Sequence, residues 1–150
     1  MMEKQPIPET DEGGFDPGMM ETAGYSAKAI RFCNEQPNRG VLSDADQVSE
    51  VAGPCGDSIT VYLRIREGKV DRAKALVSGC PGAVASAMAA MELAKGKTLT
   101  EALAIEEKDI VRMLEYLPDE KQDCIQLSAK ALHKAVEEYV VGGPSFKKRE

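Results

Sequence analysis

The sequence predicts an α+β fold, a small three-stranded antiparallel sheet packed against several helices. Two observations predict it. From Ser58 to Arg66, Ile59, Val61, Leu63 and Ile65 alternate with Thr60, Tyr62 and Arg64, the period of two of a half-buried strand. After Gly79-Cys80-Pro81-Gly82 the period becomes helical, with Val84, Ala87, Met88, Met91 and Ala94 recurring at helix spacing. Strands gathered ahead of helices favour a sheet covered by helices over alternating βαβ units.

In chain order, residues 1–20 read as a flexible acidic leader containing Pro6, Pro8, Pro17 and a Gly13-Gly14 pair. Residues 21–141 form the folded domain, and 142–150 a disordered tail. Tyr25 to Cys33 is a short helix with Ser26 as its cap. Asn34 to Asp46, carrying Pro37, Asn38 and Gly40, is loop. Val48 to Ala52 is an edge strand. The central strand, Ser58 to Arg66, turns through Glu67-Gly68-Lys69 into its hairpin partner, Val70 to Val77. Alternation there falters at Asp71 and Arg72, which suggests a bulge. The alanine-rich helix that follows can lie close against a sheet, and Gly96 stops it. Thr98 to Ala104 and Glu106 to Tyr116 are two short helices ended by Pro118. The last helix runs from about Cys124 to Val140.

Composition narrows the function. A chain of 150 residues suits one domain with one core. A net charge of −6 disfavours nucleic acid and anionic membrane, and the absence of Trp removes a preferred stacking surface. The leader has no apolar segment to serve as a secretory signal, and no stretch reaches the length of a membrane span. A cytoplasmic location is expected. There, four cysteines are reduced thiols or ligands rather than a disulfide framework.

The cysteines separate by position. Cys55 lies in the turn Gly53-Pro54-Cys55-Gly56-Asp57, where a thiol is presented rather than packed. Asp57 is near enough to share its site, or is a turn residue bonding its own backbone. Cys80 stands where a strand gives way to a helix, and Cys124 opens the last helix; helix N-termini favour thiolate over thiol. Two thiols at helix starts and one in a turn suit a soft metal or sulfur transfer. Cys33 has no Gly or Pro beside it and reads as a packing or surface cysteine. No pair has the short C-x-x-C spacing of zinc ribbons or thioredoxin-like motifs.

Several ordered pieces resemble the IscU/NifU N-terminal family of iron–sulfur cluster assembly scaffold proteins, which have a SufE/NifU-like sandwich. These are Gly53-Pro54-Cys55-Gly56-Asp57; Gly79-Cys80 with its Ala/Ser-rich helix ending Lys95-Gly96-Lys97; Glu101 to Ile105; and Leu117-Pro118 followed by Lys121 and Cys124. Tyr25-Ser26 and Pro37-Asn38-Arg39-Gly40 agree more loosely. The resemblance implies a carrier rather than an enzyme. It would accept sulfur from a cysteine desulfurase and iron from an iron donor, build a labile [2Fe–2S] cluster and pass it to recipient apoproteins. Its ligands would be Cys55, Asp57, Cys80 and Cys124. A harder oxygen ligand beside soft thiolates favours release over retention.

The chain departs from the family twice. Where the family commonly has His before the third cysteine, this chain has Asp123, which reads either as an N-cap with Gln126 completing a capping box or as a replacement ligand. The only histidine, His133, lies roughly 13 Å further along the last helix. It is a poor substitute and reads as a surface or satisfied side chain. In Leu117-Pro118-Asp119-Glu120-Lys121, the altered centre of the family's chaperone-binding segment argues against a dedicated Hsp70-type chaperone. The alternative implied by resemblance is a SufU-like sulfur acceptor holding zinc on the same four residues. Its relatives carry an insertion for which the run from Cys80 to Cys124 leaves no room. A purely regulatory binding module is a third reading.

Overall fold

The computed structural model describes residues 16–53 and 56–142. Its helices are α1 (Pro17–Ala23), α2 (Ala27–Glu35), α3 (Pro81–Ala94), α4 (Leu99–Leu103), α5 (Glu107–Leu114) and α6 (Gln122–Gly142). Its strands are β1 (Gln47–Ala52), β2 (Ser58–Arg66) and β3 (Lys69–Ser78), antiparallel in the order β1-β2-β3. The α+β sheet-and-helix architecture is therefore as the patterning predicts.

The sheet follows its alternation. Ile59, Val61 and Leu63 are fully buried, while Thr60, Tyr62 and Arg64 remain partly exposed on the opposite face. The expected bulge is present. Arg64 pairs with Arg72 but Ile65 with Val70, so Asp71 is the extra residue on β3.

The helices supply the surprises. The predicted leader is already structured before residue 20: the Asp16 carboxylate accepts a hydrogen bond from the Gly18 N–H at 2.9 Å, Pro17 occupies the first turn, and Met20 is buried. A local cap and one core side chain outweigh the acidic composition there. The remainder of the leader, residues 1–15, and the tail from 143 lie outside the described residues. Likewise α3 has no polar face: twelve of its fourteen residues are buried. Its alanines are small enough for neighbours to close on every side, and it packs against α6, β3, α2 and α5.

Beyond Pro118 the chain makes a short 3₁₀ turn, Asp119–Lys121, that runs directly into α6. This moves the start of α6 to Gln122 and places Asp123 inside its first turn. The N-cap expected of Asp123 is thus corrected: the preceding turn leaves no extended residue there for a cap to occupy.

At the start of α2, Ser26 is buried, accepts from the Ala29 N–H at 2.9 Å and donates its hydroxyl to the Leu114 carbonyl. One side chain therefore caps α2 and ties it to the end of α5. Ser26→Ala removes the cap and leaves the Leu114 carbonyl unmet, and is expected to cost about 1–3 kcal/mol in chemical denaturation.

Candidate metal centre

The site forms where the end of the sheet meets the N-termini of α3 and α6. Ser58 on β2 pairs with Ser78 on β3, so the next residues outward, Asp57 and Gly79, face one another. Cys80 follows as the N-cap of α3, in extended conformation, and its carbonyl accepts from the Ala83 and Val84 N–H groups. Cys124 is the third residue of α6. Packing of α3 against α6 brings these two helix starts together.

The two sulfurs lie 3.4 Å apart as free thiols. One oxygen of Asp57, Oδ2, stands 3.8 Å from Cys80 Sγ and 3.9 Å from Cys124 Sγ. Asp57, Cys80 and Cys124 thus offer one ligand atom each within 4.8 Å of one another. Cys124 is buried, whereas Cys80 and Asp57 are half-buried, so the group is open on one side. Two soft sulfurs and one carboxylate suit a thiophilic cation better than calcium or magnesium, which take oxygen sets.

The thiols do not share charge equally. A hydrogen bond from Cys124 lowers Cys80 to about 6, with help from the Ala83 N–H and the Lys121 ammonium, against burial and Asp57. The same bond, with burial, pushes Cys124 far up. The shared hydrogen bond thus favours losing one proton over losing two, with the thiolate on Cys80, the less buried of the pair.

Sequence reasoning singled out Cys55, Asp57, Cys80 and Cys124, and the fold brings the last three together. Cys55 lies outside the described residues. Asp123 is exposed and is not part of the three-residue group. Cys33 is fully buried in the core, as a packing cysteine. His133 bonds the Ile105 carbonyl at 2.7 Å, the satisfied role expected of it.

Two neighbours carried no signal in the sequence beyond their place in a motif. Lys121 lays its aliphatic stem over Gly82, where a Cβ would come within 3.1 Å of Cδ. The ammonium favours thiolate on both cysteines. Tyr25 is 2% exposed, and its hydroxyl has no hydrogen-bond partner among the described residues. Burial above all, and then the nearby sulfurs, hold that phenol protonated.

The fold and site define the class: an α+β domain with thiols and a carboxylate gathered where two helices begin. The family model described as the NifU-like N terminal domain matches residues 24–142, and the chain belongs to that family. It is 37% identical over 116 residues to a protein of Archaeoglobus fulgidus named as iron–sulfur cluster assembly scaffold protein IscU, covering 77% of this chain and 76% of the relative. An Aquifex aeolicus protein of the same name is 31% identical, over 78% of this chain and 76% of its own length. Among solved structures, the N-terminal part of a NifU-like protein from Brucella abortus superposes with a TM-score of 0.64 at 21% identity. That match spans 81% of this chain and 98% of that one, and supports the fold.

In a Cys55→Ala background, thiolate absorbance and alkylation rate should report one reactive thiol, present above about pH 6 and lost below it as Cys80 takes up its proton. Cys124→Ala removes the hydrogen bond and should move that midpoint upward. Tyr25→Phe, which deletes a buried hydroxyl that meets no close partner among the described residues, should leave the metal-free protein at wild-type stability or above in thermal melting.

Proposed function

We propose that this chain is an iron–sulfur cluster assembly scaffold, a carrier with no turnover of its own. The observation that carries the reading is the Asp57–Cys80–Cys124 group, with ligand atoms within 4.8 Å, in a member of a family whose relatives are named as such scaffolds. Iron and sulfur are its cargo. Cys55, two residues before Asp57, is proposed as the remaining thiolate, which gives three sulfurs and one oxygen. Asp123, exposed, is left outside the set.

The chemistry follows from the donors. The Cys80 thiolate is partly open and can attack the outer sulfur of a persulfide carried by a cysteine desulfurase. A new S–S bond forms on Cys80 as the desulfurase thiolate departs. A reductant supplies the two electrons that turn this sulfur into sulfide. Thiolates then hold the iron that a donor delivers, in a cluster of the [2Fe–2S] type. The Asp57 oxygen, harder than sulfur, is the weakest member of the set and keeps the cluster transferable to recipient apoproteins. Free thiols at Cys33, Cys80 and Cys124 fit a cytoplasmic setting. Among the described residues no helix is long and apolar enough to cross a membrane.

Anaerobic reconstitution with ferrous iron and a desulfurase plus cysteine tests the reading. A labile visible chromophore is expected, lost in Cys55→Ala, Cys80→Ala and Cys124→Ala, and retained in Cys33→Ala and Asp123→Ala. A protein that holds one tight zinc and never gains cluster absorbance would sink it in favour of a zinc-bearing sulfur acceptor.

A further inference from the structure

The placement of Asp57 depends on a residue that contributes no atom to the metal site. Asp57 and Gly79 stand opposite each other one step beyond the last pair of the β2–β3 ladder. Directly opposed side chains on neighbouring strands usually stand with Cβ atoms about 4.5–5.5 Å apart. Here a Cβ on Gly79 would lie 2.3 Å from Asp57 Oδ1, 2.6 Å from its Cγ and 3.0 Å from its Cβ. The carboxylate has folded across the strand into the volume that a side chain at Gly79 would fill. That fold-over turns the other oxygen, Oδ2, onto both sulfurs at 3.8 and 3.9 Å. A side chain at residue 79 and a carboxylate on the sulfur pair exclude one another.

From this we infer that Gly79 is the positioning residue of the metal site: its bare α-carbon is what lets Asp57 reach the ligand position. The inference rests on the metal-site reading above. It assigns the glycine before Cys80 a role distinct from turn geometry, because the space it leaves is filled by a ligand's own atoms. It also predicts that any side chain here ejects the carboxylate and leaves the thiols with one oxygen donor fewer. The Gly79 φ of 156° adds a backbone cost of its own to substitution. That cost is the same whether or not Asp57 keeps its carboxylate, so a double variant separates the two.

The test compares wild type, Gly79→Ala, Asp57→Ala and the double variant in two measurements. The first is thermal melting of the metal-free proteins. Gly79→Ala should lower Tm about twice as far in the wild-type background as in the Asp57→Ala background, since truncating Asp57 removes the 2.3 and 2.6 Å contacts and leaves only its Cβ at 3.0 Å. If Gly79→Ala alone does not fold, recovery of folding in the double variant is the same result. Equal drops in both backgrounds, or a double variant that also fails to fold, would overturn the inference. The second measurement is Co²⁺ binding, read from its ligand-field and thiolate charge-transfer bands. Gly79→Ala and Asp57→Ala should each weaken Co²⁺ by about 10–100-fold, and the double variant should be no weaker than either. Wild-type affinity in Gly79→Ala, or losses that multiply, would refute the positioning role. If wild type binds neither Co²⁺ nor a cluster, the scaffold reading fails, and the melting cycle still decides whether residue 79 controls Asp57.

Discussion

Close packing around α3 is the constraint from which the rest of the structure follows. A helix buried over twelve of fourteen residues must present little bulk, and its alanines allow α6, β3, α2 and α5 to approach it together. Burying that many small apolar side chains contributes to stability. Its functional effect is on distance. Because α3 and α6 lie against one another, their first residues meet, and those residues carry Cys80 and Cys124. A bulkier α3 would spread the helices and separate the thiols.

The cost of this arrangement is electrostatic. Three groups able to carry negative charge converge within 4.8 Å, where full ionisation of all three would be repulsive. A proton shared between the two sulfurs relieves this, as does the Lys121 side chain laid over Gly82 nearby. Helix N-termini beneath both cysteines work in the same direction. A thiophilic cation would relieve the remaining repulsion more fully than either. This gives the site a physical reason to accept metal and a ready proton to release when it does.

Some of the fold was legible because its signals were local. The alternation of Ile59, Val61 and Leu63 set the central strand and its dry face, and the lapse at Asp71 marked the bulge. Ser26 announced α2 because a cap is a short-range device. The predictions failed where a neighbour outside the local window intervened. Met20 docks into the core and makes a helix of what composition called leader. The 3₁₀ turn after Pro118 joins α6 and removes the cap that Asp123 appeared to offer. Spacing marked α3 as a helix able to lie against a sheet, whereas neighbours on several sides bury nearly all of it.

What the sequence by itself determined was which residues were chemically available. Turn and helix-start positions distinguished Cys55, Asp57, Cys80 and Cys124 from Cys33, since flanking Gly, Pro and helix boundaries are written in the chain. Tertiary structure alone decided their mutual geometry: which thiol keeps the proton, that Tyr25 and Lys121 border the site, and that Gly79 yields its side-chain space to Asp57. The Asp57–Cys80 and Cys80–Cys124 contacts join residues 23 and 44 positions apart, across a strand pair and a helix pair. No local pattern encodes them, because they arise only when the ladder register and the α3–α6 packing are both in place.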